Sequence, residues 1–231
     1  MKKRVLVQAG HLAPREPGFE SGTGTNGEIA LVTAIRDKLV GLLRADGRFE
    51  PIPMPGWIRP RGIKVDAALF LHGDGSGNSQ ASGYSFGYPL YRVNRHLAEL
   101  IGDEFNKLPG HPPHHRDNYT RDLAGYYGFS RVDTPGPEVL VEHGFLTNPR
   151  ERAWLFDNVA ELAKAEYRAL LNYFDMDPPA PPKPPKPQTF KWTYTVTEAD
   201  GTKTEGKSNF PSMSFLRQVK RGPRQIVYRK T

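Results

Sequence analysis

Residues 138–151 read EVLVEHGFLTNPRE. Glu138–Val141 is a short apolar run that predicts a buried strand, and Glu142 stands at its end. Asn148-Pro149-Arg150-Glu151 then opens a helix, with Asn as N-cap, Pro at the first helical position and a capping Glu at the third. Leu155, Val159, Leu162, Leu170, Leu171 and Phe174 continue that helix at its own period. The same alternation runs upstream. Arg4–Gln8 predicts a strand, followed by a Gly-rich loop. Residues 27–45 carry Val32, Ile35, Leu39, Leu42 and Leu43 at helical spacing, with Asp46-Gly47 as the stop. Phe49–Pro53 and Ala67–Leu71 predict two more strands, and Gly73–Pro89 a loop. Val93, Leu97, Leu100, Ile101 and Leu108 mark another helix. Strands alternating with helices predict an α/β fold with a mostly parallel central sheet flanked by helices.

This domain is expected to span residues 1–177. Residues 178–188 read PPAPPKPPKPQ, seven prolines in eleven residues. Proline fixes φ and lacks the amide donor, so this stretch predicts a semi-rigid polyproline II linker. Residues 189–231 then predict a small C-terminal α+β domain. Phe190, Trp192, Tyr194 and Val196 alternate as in a strand, and Asp200-Gly201 signals a hairpin turn. Met213, Leu216 and Val219 suit a short helix, and Gln225–Arg229 a last strand.

Charge separates the two parts. The chain of 231 residues carries +7. Residues 189–231 hold nine Lys and Arg against three Asp and Glu, and the linker adds two Lys, which leaves residues 1–177 at −1. A basic tail on a near-neutral body predicts a polyanionic partner, such as cell-wall polymer, nucleic acid or a membrane surface.

Composition excludes several chemistries. With no cysteine, there is no disulfide framework, no thiol nucleophile and no thiolate zinc site. Any metal must sit on His and carboxylate ligands. Ala67–Leu71 is the longest apolar run, too short to span a bilayer. Met1-Lys2-Lys3-Arg4 is followed by only Val5-Leu6-Val7, short of a signal peptide's apolar region. The expectation is synthesis in the cytoplasm without a signal peptide and no stable membrane insertion.

In parallel sheets, functional groups gather beyond the carboxyl ends of the strands. The first predicted strand leads to His11, the third to His72 and the fourth to Glu142, while Glu28 opens the first helix beside the same edge. Two imidazoles and one carboxylate make a three-ligand zinc site with an open position, leaving the other carboxylate for proton transfer. Each residue also has a plain structural reading. His11 can close a strand, Glu28 can complete a Thr25-x-x-Glu28 capping box, His72 can be a loop histidine, and Glu142 can be an ion-pair partner. Their placement after different strands favours the site.

The segments VLVQAGH at 5–11, Gly27-Glu28, AALFLHGDG at 67–75 and VLVEHGFLTNP at 139–149 resemble the zinc-dependent N-acetylmuramoyl-L-alanine amidases of the amidase-3 type. The resemblance runs over residues 4–174. It implies that His11, Glu28 and His72 bind zinc and that Glu142 is the catalytic acid/base. It also implies cleavage of the amide between muramic acid and L-alanine in peptidoglycan. The family usually has Asp-Pro where this chain has Gln8-Ala9, and an apolar residue where it has His143. Neither departure removes a ligand, and the first bears on how the first histidine is oriented. A wall-directed enzyme without a secretion signal resembles the phage endolysins. A host amidase exported with another protein's help is the alternative.

The other histidines read as structural. His111, His114 and His115 fall in a Pro-rich solvated loop, His96 near the apolar stripe of its helix, and His143 on the sheet face opposite Glu142. Competing functions are a zinc peptidase or small-molecule amidohydrolase, and a non-catalytic protein that binds wall or nucleic acid through its tail. The expected partners are peptidoglycan as substrate and anionic wall polymer on residues 189–231. Nucleic acid is disfavoured, because no standard motif for it appears.

Overall fold

The computed structural model describes residues 1–12, 24–89, 95–179, 192–197, 200–208 and 225–230. It divides into two compact units, Met1–Pro179 and Ala180–Thr231.

The first unit is built on a five-stranded sheet in the order β2-β1-β4-β7-β5. Strands β1 (Lys3–Ala9), β2 (Phe49–Met54), β4 (Ala67–Asp74) and β7 (Glu138–Phe145) run parallel. Strand β5 (Ser85–Gly87) adds an antiparallel edge inside the stretch expected to be loop. The short strands β3 (Ile63–Lys64) and β6 (Val132–Asp133) pair separately. Helices α1 (Glu28–Asp46) and α2 (Arg95–Phe105) pack on α5 (Val159–Tyr173). Helix α3 (Arg121–Ala124) is a single turn. The α/β fold with a mostly parallel sheet is as the sequence predicts.

The inner strands β1, β4 and β7 read as continuous apolar runs because both sheet faces are covered there. Side chains alternate between the faces. Val5, Val7, Ala9, Leu69, Leu71, Val139 and Val141 share one core with α1, α2 and α5. Leu6, Phe70 and Leu140 point into a second core with Ile58, Leu123 and Phe129. By the same alternation Gln8, His72 and Glu142 belong to the second face and His143 to the first. Both β4 and β7 extend past their expected ends, so His72 and Glu142 lie within strands rather than after them.

Helix α1 stops at Gly47, whose φ of 76° is the left-handed conformation glycine adopts at low cost. The helix expected to run unbroken from Asn148 instead breaks at Asn158, between α4 (Pro149–Asp157) and α5. The side-chain amide of Asn158 donates to the Trp154 carbonyl and ends the first segment. Asn148 caps α4 as expected, accepting from the backbone N–H groups of Arg150 and Glu151. Glu151 does not close a capping box. Its carboxylate accepts from the N–H groups of Gly83 and Phe145 and ties the loop before β5 to the end of β7.

In the second unit, β8 (Trp192–Thr197) pairs antiparallel with β9 (Lys203–Ser208) and with β10 (Gln225–Lys230). The Asp200-Gly201 turn joins β8 to β9, with Gly201 at φ 85°. Val93, Phe190, the linker beyond Pro179 and the helix expected at Met213, Leu216 and Val219 lie outside the described residues.

Candidate metal centre and active site

Parallel pairing sets Ala9 beside Leu71 and His72 beside Glu142. The turn after β1 therefore brings His11 to the end of β4. His11 has φ 57°, an uncommon conformation for a residue with a Cβ. Its backbone N–H lies where a side chain at residue 56 would be, so only glycine fits there.

Glu28, the first residue of α1, is buried and divides its two oxygens between tasks. Oε2 accepts from the Thr25 backbone N–H at 2.8 Å, but this is not the expected capping box, because the helix is capped by Gly27 and Glu28 is its first residue rather than its third. Oε1 accepts from the Gly73 N–H at 3.1 Å and lies 3.1 Å from Nδ1 of His72 and 3.5 Å from Nε2 of His11. Burial opposes the charge of Glu28, but the hydrogen bond with His72, the neighbouring histidines and the Gly73 N–H outweigh that and hold its carboxyl below the ordinary value. Burial pushes the His72 imidazole the other way, toward the neutral form.

One ligand atom from each of His11, Glu28 and His72 lies within 4.8 Å of the others, a group that can hold a metal ion. At two glycines the backbone packs too closely on this group to carry a side chain. A Cβ on Gly10 would sit 2.4 Å from the His72 ring, and one on Gly24 would sit 2.6 Å from Glu28 Oε2 and 2.8 Å from the His11 ring.

Glu142 lines the same cavity of about 230 Å³ with His11, Glu28, His72 and Asp74. Its Oε2 is buried and has no hydrogen-bond partner among the described residues. Burial, then the charges of Asp74 and Glu28, push its carboxyl well above the ordinary value. Asp74 accepts from the Tyr119 hydroxyl and from the Gly75 N–H. All four residues singled out in the sequence therefore meet in one place.

Sequence reasoning missed the neighbours of His72. Its Nε2 lies 3.2 Å from the Tyr126 hydroxyl, which donates to Oε1 of Gln8 at 2.8 Å. The available signal was a single amide inside the apolar run of β1. The other histidines divide. His143 is fully buried between the His72 carbonyl (2.8 Å) and Glu166 (2.9 Å), on the face opposite Glu142. His111 is not solvated. Its ring stacks on Phe105 at 4.6 Å and meets Trp154 edge-on at 4.8 Å, and burial lowers its pKa to about 4. His114 and His115 are exposed as expected. His96 lies beside the buried stripe of α2 (Leu97, Ala98, Ile101 and Phe105) and is exposed, with its ring 6.0 Å from that of Tyr173.

No curated protein matches the chain by sequence. Solved structures do match its fold. The catalytic domain of CwlV, an N-acetylmuramoyl-L-alanine amidase from Bacillus (Paenibacillus) polymyxa var. colistinus, superposes with TM-score 0.58 at 20% identity, over 76% of this chain and 99% of that one. The N-acetylmuramoyl-L-alanine amidase of Clostridium difficile 630 gives 0.56 at 17% identity, over 77% and 99%. AmiC2 of Nostoc punctiforme gives 0.58 at 16%, over 76% and 98%. Residues 61–172, which contain His72 and Glu142, match the Amidase_3 family, N-acetylmuramoyl-L-alanine amidase.

Proposed function

We propose that this protein hydrolyses the amide between N-acetylmuramic acid and L-alanine in peptidoglycan, with zinc held by His11, Glu28 and His72. The observation that carries this reading is the set of two imidazoles around one carboxylate oxygen, beside a second carboxylate, Glu142, whose buried Oε2 has no hydrogen-bond partner among the described residues. The family match over residues 61–172 supports the choice of substrate. Two neutral nitrogens and one anionic oxygen suit zinc, and three protein ligands leave a position open, as in catalytic rather than structural sites.

Zinc bound there supplies Lewis acidity toward the scissile carbonyl. Glu142 takes a proton from the attacking water and returns it to the leaving amine of L-alanine. Its buried, unpaired oxygen and raised proton affinity suit a group that must hold that proton between the two steps. Glu28 and Gly73 fix the two histidines relative to each other. In this reading residues 178–188 are a spacer, residues 189–231 a basic module that holds anionic wall polymer, and the action on wall is lytic, as in the endolysins the chain resembles.

Digestion of purified peptidoglycan, with and without a chelator, tests the assignment. New L-alanine amino termini that vanish with chelation are the expected product. New reducing sugars would mean a glycosidase. Cleavage of simple acyl-peptides without attack on wall would mean a peptidase or small-molecule amidohydrolase.

A further inference from the structure

The buried amide of Gln8 has its orientation dictated by its surroundings. Its Nε2 lies 2.7 Å from the Gly56 carbonyl, which can only accept, and 3.0 Å from the Tyr127 hydroxyl. Tyr127 spends its own proton on the same Gly56 carbonyl, so its oxygen accepts from Gln8. Turning the amide over would set two acceptors against each other at Gly56. Oε1 of Gln8 therefore faces Tyr126, and the one hydroxyl proton of Tyr126 is committed to it at 2.8 Å. The Tyr126 oxygen is left as an acceptor, 3.2 Å from Nε2 of His72.

We propose that Gln8 and Tyr126 are positioning residues that hold the His72 ring proton on Nε2 and so present Nδ1 to the metal. The inference rests on the metal reading given above. Glu28, on the other side of the ring, draws a proton toward Nδ1 when no cation is present. The committed Tyr126 acceptor counters it, because a histidine ligand is fixed in its tautomer by what its second nitrogen donates to. Among the described residues Gln8 hydrogen-bonds to Gly56, Tyr127 and Tyr126, and to neither the metal group nor His72. It acts by deciding which way the Tyr126 proton points.

Zinc affinity of the full chain, measured by competition with a chelating dye, tests this in four proteins: wild type, Tyr126→Phe, Gln8→Leu and the double variant. Tyr126→Phe is expected to weaken binding about 10- to 100-fold. Gln8→Leu should weaken it at least as much, since the freed hydroxyl proton can turn toward Nε2 and oppose ligation through Nδ1. Gly56 keeps the Tyr127 donor in that variant, and thermal melts establish that each protein is folded. The double variant should bind no more weakly than Gln8→Leu alone, because Gln8 then has nothing to act through. The ¹H–¹⁵N spectrum of zinc-loaded protein supplies a second readout. The His72 Nε2–H resonance should be present in wild type and displaced in Tyr126→Phe. Wild-type affinity in folded single variants, or losses that add in the double variant, would overturn the relay. If the wild type itself binds no zinc, the metal reading falls, and the relay with it.

Discussion

His72 and Glu142 are register partners across the parallel pair β4–β7, the last such pair before the ladder shifts. Directly opposed residues in parallel strands project to the same face, so the backbone ladder sets the separation of the metal group from the free carboxylate. Two roles follow for two glutamates on one cavity. Glu142→Gln should lose on the order of 100-fold or more in turnover while keeping its zinc. Glu28→Gln should lose zinc affinity itself, since Oε1 is the atom shared by both histidines. Zinc content and rate, measured side by side on the two purified variants, check this. Zinc loss in the Glu142 variant with full occupancy in the Glu28 variant would reverse the assignment.

Glycine at positions 10 and 24 is a requirement of space. The His72 ring is held between Glu28 and Tyr126, so it cannot swing away from a new methyl group. Gly10→Ala should cost about 1–3 kcal/mol of stability, the range for overpacking, and weaken zinc binding more than Gly41→Ala. A Cβ at Gly41 meets nothing within 4 Å. Chemical denaturation and metal titration of both variants give the comparison.

Acid stability should depend on the end of α1. Asp46 accepts from Arg48 at 2.6 and 2.7 Å and from the Tyr167 hydroxyl of α5. The Arg48 hydrogen bond, against the cost of burial, lowers its pKa from 3.8 to about 2. A depressed carboxylate stabilises the fold above its unfolded pKa, and that contribution is lost as pH falls through the folded value. Asp46→Asn should therefore be less stable by about 1–2 kcal/mol at neutral pH. The gap to wild type should close between about pH 4 and pH 2. Urea melts at several pH values show whether it does.

How much of this was legible beforehand follows from the physics of each part. The apolar runs gave away β1, β4 and β7, because a strand covered on both faces carries no polar alternation to confuse it, while β2, half exposed at the sheet edge, was placed by Phe49 and Ile52. Strand β5 escaped because Ser85–Gly87 is three residues long and owes its pairing to β7 alone. The break at Asn158 escaped because the apolar period runs through it undisturbed. His11, Glu28, His72 and Glu142 could be placed near one sheet edge from strand ends alone. Tyr126 could not, because it reaches His72 from an irregular segment with no period to read.

The basic tail should act as a tether, raising the local concentration of the enzyme at an insoluble polyanion. Truncation after Asp177 should spare cleavage of a small soluble muramyl-peptide and reduce binding to intact wall. Electrostatic holding is screened over about 8 Å at physiological salt, so wall pull-down by residues 189–231 should weaken steadily as salt rises. Binding that persists at high salt would point to a specific pocket on the tail. No binding at low salt would remove the wall from its list of partners, with nucleic acid the next probe.

The most direct measurement is anomalous diffraction at the zinc edge from crystals of the Glu142→Gln variant grown with zinc. The account predicts a single strong peak bounded by His11, Glu28 and His72, with the side chain at position 142 facing it across the cavity. A zinc peak at His111, His114 or His115, with none in the His11–Glu28–His72 group, would contradict it.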